Sequence, residues 1–328
     1  MMRAPAFWYA PPGLLSALLT PLSWLWRAGA VLRLRVPVKA TVPVLCVGNL
    51  VAGGAGKTPV VRDLAARLRA RGVAAASLSR GHGGRMRGPL AVDPALHHAM
   101  DVGDEPLLLA ATGAAWIGRD RVAAAKAMVK TGVGAIILDD GFQNRALHKD
   151  LSLIVVDAGA GFGNSRVMPA GPLRESVAGG LKRADALVVI GDGPGLAAAK
   201  AMAGPLPVLT ARLLPDPAAL EPLRGRPLLA FAGIGRPAKF FATLRDADLS
   251  VVAERAFPDH HPFRAADLSA LLAQAQALGA TLVTTEKDAM RLSPIWRPRV
   301  AVLPVRLSWD DPVAVERLLD RLMETRYG

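Results

Sequence analysis

An apolar run from Val42 to Val47, broken only by Pro43, leads into Gly48-Asn49-Leu50-Val51-Ala52-Gly53-Gly54-Ala55-Gly56-Lys57-Thr58-Pro59. Val60, Val61, Leu64, Ala65 and Leu68 follow at helical spacing. A buried strand, a glycine-rich turn and an amphipathic helix, in that order, leave few folds open. Glycines let consecutive backbone N–H groups curl around an anion, and the start of a helix adds partial positive charge. In such a phosphate-binding loop the segment Gly53, Gly54, Ala55, Gly56 cradles the phosphates of a nucleotide. Lys57 reaches the outer phosphates, and Thr58 offers its hydroxyl to Mg²⁺. The common form has a glycine five residues before Gly56, where this chain has Val51. An ordinary glycine-rich turn is the competing reading, and the coincidence of strand, glycines, Lys-Thr and helix favours the phosphate loop.

Apolar runs and helical patterns alternate after this loop. Strands are expected at Val73–Ser79, Ala135–Leu138, Leu153–Val156, Ala186–Ile190 and Pro207–Ala211, with helices such as Pro59–Arg71, Glu105–Thr112 and Asp120–Thr131 between them. This alternation predicts an α/β fold, a P-loop NTPase-like and mostly parallel sheet covered by helices. Proline and arginine gather between Leu213 and Arg226, as in a linker. A second series then begins: strands at Leu228–Ala232, Val251–Ala253, Thr281–Thr284 and Val300–Val305, and helices from Pro237, at Ala265–Leu278 and at Pro312–Tyr327. Three units are expected: an N-terminal segment 1–35, a P-loop domain 36–225, and a smaller C-terminal α/β domain 226–328.

The N-terminal segment has no charge between Ala4 and Trp26 and is rich in aromatic residues, among them Phe7, Trp8, Tyr9, Trp24 and Trp26. Pro11, Pro12 and Pro21 interrupt it, whereas a bilayer span needs about 20 apolar residues in sequence. Arg27-Ala28-Gly29-Ala30 loosely imitates a signal-peptide cleavage site, but a nucleotide loop that needs cytosolic ATP follows. The reading preferred here is an interfacial helix, with Arg27, Arg33, Arg35 and Lys39 facing anionic headgroups; a true span and a helix buried against the protein's own core are the alternatives. A formal net charge of +13 fits anionic partners generally. The lone cysteine, Cys46, excludes an internal disulfide and reads as a buried strand residue.

Three further constellations carry chemistry. Ala135 to Leu138 is an apolar strand that stops at Asp139-Asp140-Gly141; paired carboxylates at a strand tip beside a phosphate loop suit a Mg²⁺ site. Asp104-Glu105-Pro106 opens a helix, so Asp104 is either a cap or a base that takes the proton of an attacking hydroxyl. In Pro258-Asp259-His260-His261-Pro262 a histidine held against a carboxylate can orient a base, and no third ligand nearby points to zinc. Arg80, Arg119, Arg121 and Arg174 lie on loops where guanidinium forks suit phosphates.

Taken in order, these segments resemble the tetraacyldisaccharide 4′-kinase family. The resemblance runs from Phe7-Trp8-Tyr9 through the loop, Ser79-Arg80-Gly81, Gly103-Asp104-Glu105-Pro106 and Asp139-Asp140-Gly141-Phe142-Gln143. It continues with Gly171-Pro172-Leu173-Arg174-Glu175, Phe257-Pro258-Asp259-His260-His261 and Thr284-Thr285-Glu286-Lys287-Asp288. It implies transfer of the γ-phosphoryl group of ATP, with Mg²⁺, to the 4′-hydroxyl of a tetraacylated glucosamine disaccharide 1-phosphate, giving lipid IVA at the cytoplasmic face of the bacterial inner membrane. The roles it implies are Lys57 and Thr58 on ATP and Mg²⁺, Asp139 and Asp140 around the metal, Asp104 as base and His260 as its partner. Glu105, Gln143, Arg121 and Arg174 are implied contacts to metal, nucleotide or phosphate. The family pattern usually has Tyr where His82 stands and His where Asn144 stands. A P-loop ATPase acting as a membrane-associated switch is a rival reading, although Ala52 occupies the place where such proteins carry lysine. A nucleic-acid binder is a weaker one, since no aromatic-lined groove reader is evident. Oligomeric state stays open.

Overall fold

The computed structural model describes residues 5–31 and 36–325, with backbone alone for 27–31. The side chain of Arg27, and Arg33, Arg35 and Tyr327, therefore lie outside the described residues. The strands are β1 (Val44–Gly48), β2 (Ala75–Ser79), β3 (Leu90–Ala91), β4 (Ala115–Ile117), β5 (Ala135–Asp139), β6 (Leu151–Asp157) and β7 (Ala186–Ile190). They continue as β8 (Val208–Pro215), β9 (Leu228–Ala232), β10 (Val251–Ala256), β11 (Thr281–Thr285), β12 (Ala301–Leu303) and β13 (Val305–Trp309).

Nine of these form one sheet, in the order β13-β8-β7-β6-β1-β5-β2-β4-β3. From β8 to β4 every neighbour is parallel, while β3 and β13 close the two edges antiparallel. The central strands are buried along their whole length, which is why they read as unbroken apolar runs. On one face, the helix after the loop, α2 (Lys57–Ala70), lays Val60, Val61, Leu64 and Leu68 into a core with Leu45, Val47, Ile137 and Leu153. On the other face, Ala124, Ala125 and Met128 of the helix Arg121–Lys130 pack with Cys46, Ile136 and Leu138. Burial pushes the Cys46 thiol up to about 12, so it is an inert apolar side chain.

The second sheet, β10-β9-β11-β12, is wholly parallel. Phe240, Phe241 and Leu244 from the helix Pro237–Asp246 cover one face, and Leu268, Leu271 and Ala275 from the helix Ala265–Ala277 cover the other. At the C-terminus the structure differs from the single strand expected over Val300–Val305. Pro304 has no N–H to donate and ends the β11–β12 ladder, while its carbonyl accepts from the Asp216 N–H at 2.9 Å. The chain then crosses back as β13, pairing Leu307 with Leu213 of β8. The last helix, Pro312–Glu324, buries Val315, Leu319 and Leu322 against α2. By sheet membership, residues 305–325 thus belong with the sheet whose unit was expected to end at 225, and Leu213–Pro215, expected as linker, is strand.

Before the first sheet, α1 (Leu14–Val31) runs through Pro21. Its small polar side chains dock onto the loop 164–174: Ser16 and Ser23 donate to the carbonyls of Ala170 and Val167 at 2.9 and 2.7 Å, and Trp26 Nε1 donates to Arg174 O at 3.2 Å. Leu14, Leu18, Trp24 and Leu25 point away from the protein, 63–86 % exposed. No helix among the described residues is long and apolar enough to cross a membrane.

Candidate active site

The loop after β1 leaves the sheet between β5 and β6, so both flanking strand tips face it. Gly56 caps α2 with φ +83°, a left-handed conformation that glycine adopts without strain, and no side chain occupies the free N–H groups of the first turn. A Cβ on Gly53 or Gly54 would meet nothing within 4 Å, so these glycines border open space. Uncapped first-turn N–H groups beside open glycines are what an anion cradle requires.

The carboxylates gather on the β5 side. Thr58 Oγ1 donates to Asp139 Oδ2 at 3.2 Å, and Lys57 Nζ lies 3.6 Å from Asp140 Oδ1. Asp140 has φ +55°, which turns its side chain back over the loop, where Arg174 Nη1 donates to Oδ1 and Oδ2 at 2.9 and 3.0 Å. Arg174 also reaches Gln143 Oε1, and Gln143 Nε2 donates to the carbonyl of Asn49 at 2.9 Å. Burial would raise Asp140, but Lys57 and Arg174 hold its carboxyl below the usual carboxylate range. Asp139 goes the other way: burial, then Glu105 and Asp140, push it up to about 7 against the pull of Lys57. Its Oδ1 is buried and has no hydrogen-bond partner.

That orphan oxygen fits a cation. Among the described residues no group of three or more His, Cys, Asp or Glu side chains forms a ready-made cage; Mg²⁺ characteristically takes one or two carboxylates and completes its shell with phosphate and water. Asp139, Thr58 and the neighbouring Asp140 supply that kind of donor set. Glu105, the remaining predicted metal contact, gives Oε1 to Lys287 Nζ at 3.1 Å and lies near enough to Asp139 to raise its carboxyl.

The second sheet brings His260 to Asp104 of the first-sheet unit. Asp104 opens the helix Asp104–Ala110 and is 4 % exposed. Its Oδ1 accepts from the Glu105 N–H at 3.0 Å, and its Oδ2 lies 2.9 Å from His260 Nδ1. The expected pairing of Asp104 with His260 is therefore present across 156 residues of sequence. His260 sits at φ +58° after β10, while His261 turns away to Asp267 at 3.0 Å and stacks on Phe257. Burial would raise Asp104, but the His260 hydrogen bond, Lys287 and Arg291 bring it down to about 2. It is a fully ionised, weakly basic carboxylate at neutral pH.

Arg121 is buried on the opposite flank. Its Nη1 donates to Gly118 O while Nε has no partner, and burial together with Arg80 lowers it to about 10. A guanidinium at the start of a helix opposes the helix dipole, so an anion near its Nε would relieve the site. His82 faces the His260 ring at 6.0 Å, and Asn144 caps its own turn by accepting from the N–H groups of Ala146 and Leu147.

Two residues of the site escaped the sequence reading. Lys287 and Arg291 lie on and just after the helix Glu286–Ala289, which bridges the sheets. Arg291 Nε stands 3.3 Å from Asp104 Oδ2, without the alignment of a hydrogen bond, and Glu286 pairs with Arg62 of α2 at 2.8 Å. Thr284-Thr285-Glu286-Lys287-Asp288 stands out as a motif in the sequence, but spacing alone does not tell which strand tip its charges will face.

The family model described as tetraacyldisaccharide-1-P 4'-kinase matches residues 15–324. A tetraacyldisaccharide 4'-kinase of Rhodospirillum centenum is 58 % identical over 98 % of this chain and 97 % of its own, and one of Rhodospirillum rubrum is 51 % identical over 98 % of each. Among solved structures, the "apo" form of LpxK from Aquifex aeolicus in complex with ATP superposes with a TM-score of 0.76 at 26 % identity, covering 94 % of this chain and all of its own.

Proposed function

The chain belongs to the tetraacyldisaccharide-1-P 4'-kinase family, and we propose that it transfers the γ-phosphoryl group of ATP to the 4′-hydroxyl of a tetraacylated disaccharide 1-phosphate, giving lipid IVA. The observation that carries this reading is the placing of an ionised, histidine-paired carboxylate opposite a phosphate loop, with an unpartnered carboxylate oxygen beside Thr58.

The amides from Gly53 to Gly56 and the Lys57 ammonium bind the phosphate chain, with its terminal phosphate toward the Asp139–Asp140 side. Asp139 and Thr58 would hold Mg²⁺, which would supply charge neutralisation on the phosphates. Arg121 and Arg174 steady phosphate oxygens, and Gln143 braces Arg174 against the loop. Asp104 accepts a hydrogen bond from the acceptor hydroxyl. As the oxygen–phosphorus bond forms and the bond to the leaving ADP oxygen breaks, the hydroxyl proton passes to Asp104. A carboxylate held near 2 is too weak to remove that proton in advance. It takes it only as the oxygen becomes acidic in the transition state, as the loose transition state of phosphoryl transfer allows.

The exposed apolar side of α1 supports a position on a membrane surface, where Leu18 and Trp24 enter the headgroup boundary and the basic chain meets anionic lipid. The cytoplasmic face of the inner membrane is the side that offers both ATP and this acceptor. The test is incubation with γ-labelled ATP and the disaccharide monophosphate in mixed micelles. Label should enter the lipid one-for-one with ADP formed, and chelation of Mg²⁺ should abolish both. ADP release without labelled lipid would favour the ATPase-switch reading instead.

A further inference from the structure

His260 has charged neighbours on more than one side. Nδ1 faces Asp104 at 2.9 Å. Nε2 faces two opposed groups: the Lys287 ammonium at 3.5 Å and Asp259 Oδ1 at 3.9 Å, an oxygen that is buried without a hydrogen-bond partner. The His82 ring stands 6.0 Å off, and Arg291 approaches Asp104 Oδ2 from its far side. These groups come from four different segments, and the proton at Nε2 depends on which of them prevails.

An ammonium can only donate, so a lysine beside a ring nitrogen is compatible with that nitrogen as acceptor and not as N–H. A carboxylate in the same place demands the reverse. Were Asp259 to prevail, Nε2 would carry a proton while Nδ1–H still faced Asp104. The resulting imidazolium between two carboxylates would neutralise the charge that Asp104 needs as a base. Resting on the function proposed above, we propose that Lys287 is a positioning residue for the transfer: its ammonium keeps Nε2 of His260 an acceptor against Asp259, so that the ring presents Nδ1–H to Asp104. Lys287 is itself anchored from the first sheet by Glu105 Oε1 at 3.1 Å. The tautomer that serves Asp104 is thus held only while the helix Glu286–Ala289 is docked, which ties the base to the seating of the second sheet.

The experiment compares Lys287→Met, Lys287→Arg and the double variant Lys287→Met/Asp259→Asn in the full-length enzyme. It reads kcat and the KM for ATP, together with imidazole ¹⁵N shifts of His260 assigned with a His260→Gln control. Wild type should show a pyridine-like Nε2 and a pyrrole-like Nδ1. Lys287→Met should lose that signature and drop in kcat by about 10- to 100-fold, part of the range general-base catalysis supplies, with the KM for ATP unchanged. Lys287→Arg should retain both signature and rate, and removing Asp259 in the Met background should recover kcat at least several-fold. A Lys287→Met enzyme with wild-type kcat overturns the proposal. So does a double variant no better than the single one, because loss of the Glu105 anchor alone would not be repaired at Asp259. If instead Asp104→Asn turns over at the wild-type rate, the assignment of the base fails, whatever the ¹⁵N spectrum shows.

Discussion

The two halves of this site are built on different plans. The nucleotide half is largely local: one strand, one turn and one helix, from Val44 to Ala70, carry the amide cradle, Lys57 and Thr58, with the tip of β5 beside them and Arg121 and Arg174 adding their guanidinium groups from outside that segment. The acceptor half is assembled: Asp104, at the start of a helix packed on the first sheet, meets His260 and Arg291 from the second, and Lys287 from the same side pairs with its neighbour Glu105. A local plan makes a binding site that exists whenever its own strand and helix are folded. An assembled plan makes a base that exists only when two sheets are in register, so chemistry can be made conditional on how they meet.

The sharpest way to break this division is to remove one residue from each half. Asp104→Asn should lower kcat by about 10²–10⁴-fold, the range of a positioned general base, and leave the affinity for a non-hydrolysable ATP analogue unchanged by calorimetry. Lys57→Met should lower kcat by about 10²–10³-fold, as losing one preorganised charge on a transferring group does, and should also weaken the analogue. If Asp104→Asn weakens nucleotide binding as much as Lys57→Met does, the halves are not separate and the division is wrong.

How much could be read in advance follows the same division. The strands of the first sheet were legible because burial on both faces writes them as continuous apolar runs, and the loop was legible because its chemistry is backbone chemistry dictated by glycine. The exchange of sheets at Pro304 was not: Val300 to Val305 is apolar on both sides of the proline, so nothing but the missing N–H marks where one sheet ends and another begins. The pairing of Asp104 with His260 was expected only through the family resemblance. Lys287 and Arg291 were missed because the carboxylates they face, Glu105 and Asp104, lie more than 180 residues away, and ion pairs of that separation leave no periodicity.

Within the local half, the glycines separate folding from binding. Gly56→Ala puts a side chain at φ +83° and its Cβ 2.7 Å from the end of Ile190. It should cost about 1–2 kcal/mol of stability, the penalty of a left-handed residue with a Cβ, seen as a lower unfolding midpoint without nucleotide. Gly54→Ala meets nothing in the protein. Its unfolding midpoint should stay at the wild-type value, so any loss of nucleotide affinity reports a methyl group in the space reserved for phosphate. Equal destabilisation by both substitutions would mean that the loop is held by its fold rather than by its ligand.

The smallest expected effect tests whether the two halves communicate. Arg62, on the helix that starts at the loop, pairs with Glu286, whose neighbour Lys287 faces His260, and both side chains are only about a fifth exposed (20 % and 17 %). Arg62→Ala, Glu286→Ala and the double variant form a cycle whose coupling energy should be about 0.5–1 kcal/mol in unfolding free energy, the upper end for a partly exposed pair. The telling measurement is kcat. If the pair only staples the sheets together, each single variant loses stability and keeps its rate. If it sets the register at which His260 reaches Asp104, both singles should lose a few-fold in kcat with nucleotide affinity intact, and the double should lose no more than either. A nucleotide affinity that falls in step with kcat would place the effect in the loop itself, and the acceptor half would then be less dependent on the junction than its long-range contacts imply.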